Sequence, residues 1–317
     1  MIAKSVVAVV IPAYRVLNQI ESVLAGIPEY VDLIFVVDDA CPESSGQRAA
    51  QSKDKRVKVL THVKNLGVGG AVKTGYKAAL EAGADVIVKV DGDGQMDPSL
   101  IAELVAPIVE GKADYTKGNR FDTLEGLKEM PKIRIFGNAV LSFMAKISTG
   151  YWAITDPTNG FTAIHRTALS GLQLSKISND FFFESDMLFR LSVSRAVVFD
   201  FSMPSIYGDE KSNLRIWKTL RDFPYKHFRN FTKRIFYSYY LRELNIASIE
   251  LPVGLLLFGF GVYFGLTRWA DAAANGVPAT AGTVMLSAVP LILGFQLILA
   301  FLAYDIAAVP TRVRQKN

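Results

Sequence analysis

The stretch DVIVKVDGDGQMDP, residues 85–98, runs from an apolar strand directly into Asp91, Asp93 and Asp97. Three carboxylates crowded at one strand end repel one another unless a cation or a set of donors joins them. A solvated turn is the simplest reading. An EF-hand calcium loop is excluded, because that pattern needs glycine where Met96 stands and an acidic twelfth position, which here is Ala102. What remains is a magnesium or manganese ion held by one or two carboxylates and shared with a substrate's phosphates.

Working outward, short β-branched runs recur at Val6–Ile11, Leu33–Val37, Val57–Leu60 and Asp85–Val90. Each is apolar on both faces, as in a parallel sheet covered by helices on either side. Helical patterns lie between them. One is Gly70–Ala82, with Ala71, Tyr76, Ala79 and Leu80 on one stripe; another follows Asp97-Pro98, a capping residue with proline at the first helical position. Strand and helix alternating in this way predict a doubly wound α/β domain with a mostly parallel sheet. Ligands bind such sheets beyond the carboxyl ends of the strands. Three polar clusters fall there: Pro12–Tyr14, Asp38-Asp39 and Asp91–Gln95.

Two motifs are discounted. NLGVGGAVKTG, residues 65–75, has Val72 where both a Walker phosphate loop and a dinucleotide fingerprint require glycine. It reads as a glycine-rich loop packed closely at the start of a helix. The single cysteine, Cys41, excludes an internal disulfide and fits a reducing compartment. His62, His165 and His227 show no zinc-ligand spacing. The N-terminal MIAKSVVAVVIPAY reads as a first strand rather than a signal peptide, since its basic region and cleavage site are weak.

Half of the 317 residues are hydrophobic, more than a soluble enzyme needs. The excess lies in the C-terminal third. Residues 251–267 carry no charge, and neither do the twenty-one residues from Val284 to Tyr304. Each run is about long enough to cross a hydrocarbon core roughly 30 Å thick. The expected division is a head at 1–210, a basic juxtamembrane segment at 211–245, two spans at about 246–267 and 284–306 within 246–309, and a tail at 310–317. Lys and Arg outside the spans, including Arg312, Arg314 and Lys316, place both flanks in the cytoplasm by the positive-inside rule. Residues 211–234 hold eight Lys or Arg and one acidic residue, interleaved with Trp217, Phe223, Tyr225, Phe228 and Phe231. Nucleic acid would accept such a patch. Directly before a span it reads instead as helices on an anionic lipid surface, with Pro224 dividing them.

With these residues in place, the chain resembles the family 2 glycosyltransferases of the polyprenyl-phosphate type, which have the GT-A fold. The resemblance spans about residues 5–215 and rests on VVIPAY, VVDDACPESSG, NLGVGGAVKTG, VDGDGQMDP, KGNRF, TDPTNGF and YGDEKSNLR, in this order. It implies a divalent ion, Mg2+ or Mn2+, at Asp91, Asp93 and Gln95. It implies that Pro12, Tyr14, Val36 and Asp38 line the nucleotide with Asp91, Gly92 and Asp93, and that Arg120 and Lys211 meet phosphates. Asp93, Arg120 and Asp156 are the implied catalytic set, with Asp156 orienting acceptor or sugar. Two positions depart from the family: Arg15-Val16 stands where Asn-Glu usually follows the P-x-Y, and Ser205 stands where arginine is common. Arg134 is a candidate to compensate for the second.

The implied reaction moves a hexose, glucosyl or mannosyl, from a nucleotide-diphosphate sugar to polyprenyl phosphate with inversion. An acceptor phosphate is already ionised near neutral pH, so little general-base help is needed. That suits a chain without a convincing catalytic histidine. The implied setting is the cytoplasmic face of the cell membrane, with the protein multi-pass and assembled as a homo-oligomer. The alternatives are a processive polysaccharide synthase, which usually carries a Gln-x-x-Arg-Trp motif absent here, and a membrane protein that only binds nucleotides.

Overall fold

Valine and isoleucine fill the central strands because both sheet faces are covered, and β-branched side chains pack well there. The computed structural model describes residues 5–121, 132–204 and 216–316. It contains two units: Met1–Arg234 with Pro310–Asn317, and Ile235–Val309.

The first unit is built on seven strands: β1 (Val7–Ala13), β2 (Leu33–Asp38), β3 (Val57–Thr61), β4 (Val86–Lys89), β5 (Tyr115–Asn119), β6 (Thr162–His165) and β7 (Val198–Ser202). Their spatial order is β3-β2-β1-β4-β6-β5-β7. β6 runs antiparallel to β4 and β5, and every other pairing is parallel. The mostly parallel, doubly wound sheet predicted from the sequence is therefore present. β3 departs from the expectation of two covered faces. It is an edge strand with Lys58 and Thr61 exposed, as a sheet margin tolerates.

On one face, Val9, Ile11, Ile34, Val36, Val86 and Val88 form a core with α1 (Ile20–Gly26) and α4 (Ile101–Val109). Each Val or Ile side chain removed from water there contributes about 1.5–3 kcal/mol. On the other face, α3 (Val68–Glu81) lies so close to β1 that a Cβ on Gly75 would stand 2.2 Å from Val10 Cγ1. α2 (Ser45–Ala50), α5 (Lys132–Thr149), α6 (Arg166–Ser170) and α7 (Phe183–Val193) complete the layers.

The glycine-rich loop before α3 is packing, as expected. Gly67 adopts φ +87°. Asp39 accepts the Leu66 and Gly67 amides, both at 2.8 Å, and the Asn179 carbonyl accepts that of Gly69, also at 2.8 Å. Lys73 reaches the Ile177 carbonyl at 2.7 Å and the Asn179 side chain. The amides and the lysine that a phosphate loop would offer are thus used internally.

α8 (Ile216–Phe236) is one helix, not two; Pro224 lies inside it. The proline removes one backbone donor, and burial of Phe223, His227, Asn230 and Arg234 holds the helix across that gap. Residues 310–316 belong to this unit: the Arg314 amide donates to Asp114 Oδ1 at 2.8 Å, and Gln315 Nε2 to the carbonyls of Ile108 and Ala113.

The second unit pairs α9 (Ile246–Asn275) with α10 (Ala281–Ala307). Asn245 and Ser248 cap α9 reciprocally. Both helices are longer than the apolar runs. Ala270 and Ala272–Ala274 sustain α9 through the stretch expected to be a link, and Gly276 in a left-handed conformation ends it. The connection shrinks to residues 276–280. Small residues bring the helices together: a Cβ on Gly261 would stand 2.7 Å from the Leu291 amide, and one on Gly294 2.4 Å from that of Phe258. Leu256, Tyr263, Trp269 and Ile292 are exposed on the outside.

Candidate active site

The loop that opens the sequence problem follows β4. Its first carboxylate already has a cation. Asp91 Oδ1 lies 2.7 Å from Lys89 Nζ, an off-axis ion contact in which that oxygen accepts no well-directed hydrogen bond. Asp93 Oδ1 accepts the Gln95 amide at 3.1 Å, and Gly94 at φ +76° turns the loop. Asp97 is the helix cap read from the sequence, accepting the Ser99 amide at 2.9 Å. Gly92 seats the loop on β1, since a Cβ there would come 3.1 Å from the Pro12 carbonyl oxygen.

At the neighbouring strand ends, Pro12 is half-buried and Tyr14 is exposed. Val36 is wholly buried in the core. Asp38 accepts the Cys41 and Gly46 amides at 2.7 and 2.9 Å, which fixes the turn into α2. Beyond β5, Arg120 meets Asp156 through two side-chain contacts, Nε to Oδ2 at 2.7 Å and Nη2 to Oδ1 at 3.1 Å. Asp156 is wholly buried, while the guanidinium stays partly open. The structure thus joins Arg120 to Asp156 directly. Lys211 and the rest of YGDEKSNLR lie outside the described residues, as does the Arg134 side chain.

Residues not anticipated from the sequence tie these parts together. Val10, Lys89, Thr162, Lys117 and Asp200 pair in one row across β1, β4, β6, β5 and β7, so their side chains share a face. Lys89 is fully buried; its ammonium also meets Glu184 Oε1 of α7 at 3.1 Å and the Gly160 carbonyl at 3.2 Å. The ammonium of Lys117, also buried, is held by the carbonyl of Asn159. Two lysines from the sheet therefore grip consecutive carbonyls of the 155–161 loop that carries Asp156. Gly160 is required there: a Cβ would fall 2.3 Å from Lys89 Nζ and 2.4 Å from Asp91 Oδ2.

Burial governs the protonation of this layer. It lowers Lys117 to about 8, against the pull of Glu184 and Asp156, and raises Asp200 to about 6. Lys89 is instead raised above the ordinary lysine value, because Asp91 and Glu184 together outweigh its desolvation. The sequence did carry a signal. A lysine inside a buried strand, as in VIVKV and YTKGN, needs partners, because an unpaired buried charge is too costly to keep.

Among the described residues no three His, Cys, Asp or Glu side chains gather as a metal cluster. The donor set still suits a hard divalent ion. Asp91 Oδ1 has no well-aligned donor, and Asp91, Asp93 and Gln95 together would offer such an ion oxygen ligands. Such an ion is commonly completed by water and substrate phosphates.

The sequence matches the family model for Glycosyl transferase family 2 over residues 8–172. It is 31% identical over 185 residues to the UDP-N-acetylglucosamine–dolichyl-phosphate N-acetylglucosaminyltransferase of Methanococcus voltae, covering 54% of this chain and 73% of that protein. It is likewise 31% identical over 192 residues to the undecaprenyl-phosphate mannosyltransferase of Micrococcus luteus, covering 58% and 76%. The dolichol-phosphate mannosyltransferase of Pyrococcus furiosus is 29% identical over 177 residues, and the match spans about half of that protein, 49%. Among solved structures, glucosyl-3-phosphoglycerate synthase from Mycobacterium tuberculosis, in complex with Mn2+, UDP and glucosyl-3-phosphoglycerate, superposes with a TM-score of 0.55 at 18% identity. That match covers 73% of this chain and 80% of the synthase, a likeness of fold.

Proposed function

Because this chain belongs to glycosyl transferase family 2, we propose that it transfers one hexose from a nucleotide-diphosphate sugar to a polyprenyl phosphate, with inversion, at the cytoplasmic face of a membrane. One observation carries the proposal. The acidic loop after β4 and the Arg120–Asp156 pair stand at the same rim of the sheet, joined through Lys89 and Lys117 to a single loop. That arrangement suits a donor diphosphate on one side and an anionic acceptor on the other.

Asp91, Asp93 and Gln95 are the residues that would hold Mg2+ or Mn2+. When bound, the ion would neutralise charge on the departing nucleoside diphosphate. Pro12, Tyr14, Val36, Asp38 and Gly92 frame the nucleotide side. Val36 and Asp38 act there through the backbone they fix, since their side chains are already engaged. Arg120 is partly open at the rim, and Asp156 fixes the plane of its guanidinium. Lys211 is proposed as a further phosphate ligand. Direct attack by an ionised acceptor phosphate needs no general base and inverts the anomeric centre.

The membrane reading rests on α9 and α10, each long and apolar enough to cross a bilayer. The exposed Phe136, Val140 and Phe143 of α5 and Tyr225 and Phe228 of α8 suit an interface. The test offers a panel of nucleotide sugars to membranes holding the protein, with polyprenyl phosphate, and identifies the lipid product by mass. A glycosylated polyprenyl phosphate is expected. Donor consumption without a lipid product rejects the acceptor assignment.

A further inference from the structure

Lys89 is a charge that the proposed reaction does not use. Its ammonium is buried at the end of β4 and held from three directions, by Asp91, Glu184 and the Gly160 carbonyl. Gly160 makes room for it, since a Cβ there would stand 2.3 Å from the ammonium nitrogen. Burial and these three partners keep the positive charge beside Asp91.

We infer that Lys89 is a built-in counter-ion for Asp91 that makes divalent-ion binding depend on the donor diphosphate, so that ion and donor are taken up together. The inference rests on the reading of Asp91, Asp93 and Gln95 as metal ligands. A divalent ion arriving alone meets a carboxylate whose charge the Lys89 ammonium already offsets. Even with water-like screening, a unit charge about 6 Å from a divalent ion weakens its binding about tenfold. A nucleoside diphosphate brings negative charge of its own and removes that penalty. Glu184 tunes the effect, since it shares the ammonium with Asp91 and offsets part of its charge. Lys89 is a positioning residue: it touches the ligand Asp91, not the substrate.

The test measures Mn2+ uptake by the purified full-length protein from the EPR signal of the free ion, with Mn2+ alone and with Mn2+ plus UDP or GDP. The wild type should bind Mn2+ about tenfold more tightly with one of these nucleotides than without. Lys89→Met should close that gap by tightening binding of Mn2+ alone, and Glu184→Gln should widen it by weakening the same step. A merely structural role would move both variants in the same direction. A folded Lys89→Met protein that binds Mn2+ alone no more tightly than the wild type overturns the inference. If Lys89→Met does not fold, the double variant Lys89→Met/Glu184→Gln removes both buried charges and should still bind Mn2+ alone more tightly than Glu184→Gln; equal binding overturns the inference. No Mn2+ uptake by the wild type under any condition, with Asp93→Asn identical, removes the metal site itself and the inference with it.

Discussion

Asp93 and Arg120 separate chemistry from folding at the scale of single residues. Asp93 is half-exposed in a loop turned by Gly94, so Asp93→Asn should leave thermal unfolding of the head unchanged. Transfer should fall about a thousandfold, roughly 4 kcal/mol of lost charge stabilisation, measured as lipid product per time. Full turnover by the wild type in excess chelator would sink the metal assignment. Arg120 behaves differently because its partner Asp156 is fully buried. Arg120→Met strands that carboxylate and should destabilise the head by about 3 kcal/mol in urea titration. Adding Asp156→Asn should recover at least half of the loss, while transfer stays absent. Absence of recovery would mean that the pair does not hold the rim.

Among the elements, α8 offers a pH test. Its buried face carries His227, hydrogen-bonded to Ser148 at 2.8 Å and set edge-on against Phe182. Burial lowers the imidazole to about 4 from 6.5. The unfolded chain then takes up the proton first, so this contribution is whole above about pH 6.5 and is lost as pH falls towards 4. Between pH 7 and 4.5 the wild type should lose about 2 kcal/mol more than His227→Gln, read from urea unfolding at both values; equal losses would place the proton elsewhere. The same helix shows where sequence reading stops. Pro224 predicts a break by local rules, and only packing of Phe223, His227 and Arg234 on distant elements overrides it. β1, β2 and β4 were legible because burial on both faces leaves an unbroken Val/Ile record. Lys89 and Lys117 were legible as anomalies, but Glu184, 95 and 67 positions further on, carries no mark of partnership in FFFESDMLF. The rim carboxylates could be read from local crowding, whereas the cation that answers Asp91 required the fold.

At the scale of the whole chain, the two-helix unit is entered at Ile235 and left at Val309, so its Gly276–Thr280 turn lies at the end opposite both attachments. A cysteine replacing Val277, which is exposed, should react with an impermeant thiol reagent applied outside intact cells; labelling only after lysis would contradict a hairpin with both flanks inside. The last expectation concerns how the head meets its lipid. The positive charge of α8 is not all alike. Lys226 is tied to Asp180 at 2.6 Å, and Arg234 donates to the Ile147 carbonyl at 2.8 Å, so both serve the head. Arg221, Tyr225 and Phe228 recur at helical spacing on the exposed face, and Lys233 is exposed further along the same helix, aromatic and cationic side chains of the kind that sit at a lipid headgroup. Each such cation near an anionic surface contributes about 1 kcal/mol, and each aromatic ring buries further area in the interface. Replacing Arg221 and Lys233 with Gln and Phe228 with Ala should therefore raise the concentration of polyprenyl phosphate needed for half-maximal transfer about tenfold or more. The apparent affinity for the nucleotide sugar should hold, because none of the three residues belongs to the strand-end rim. A loss of donor affinity with lipid dependence unchanged would instead make this face part of the donor site and assign α8 to catalysis rather than docking.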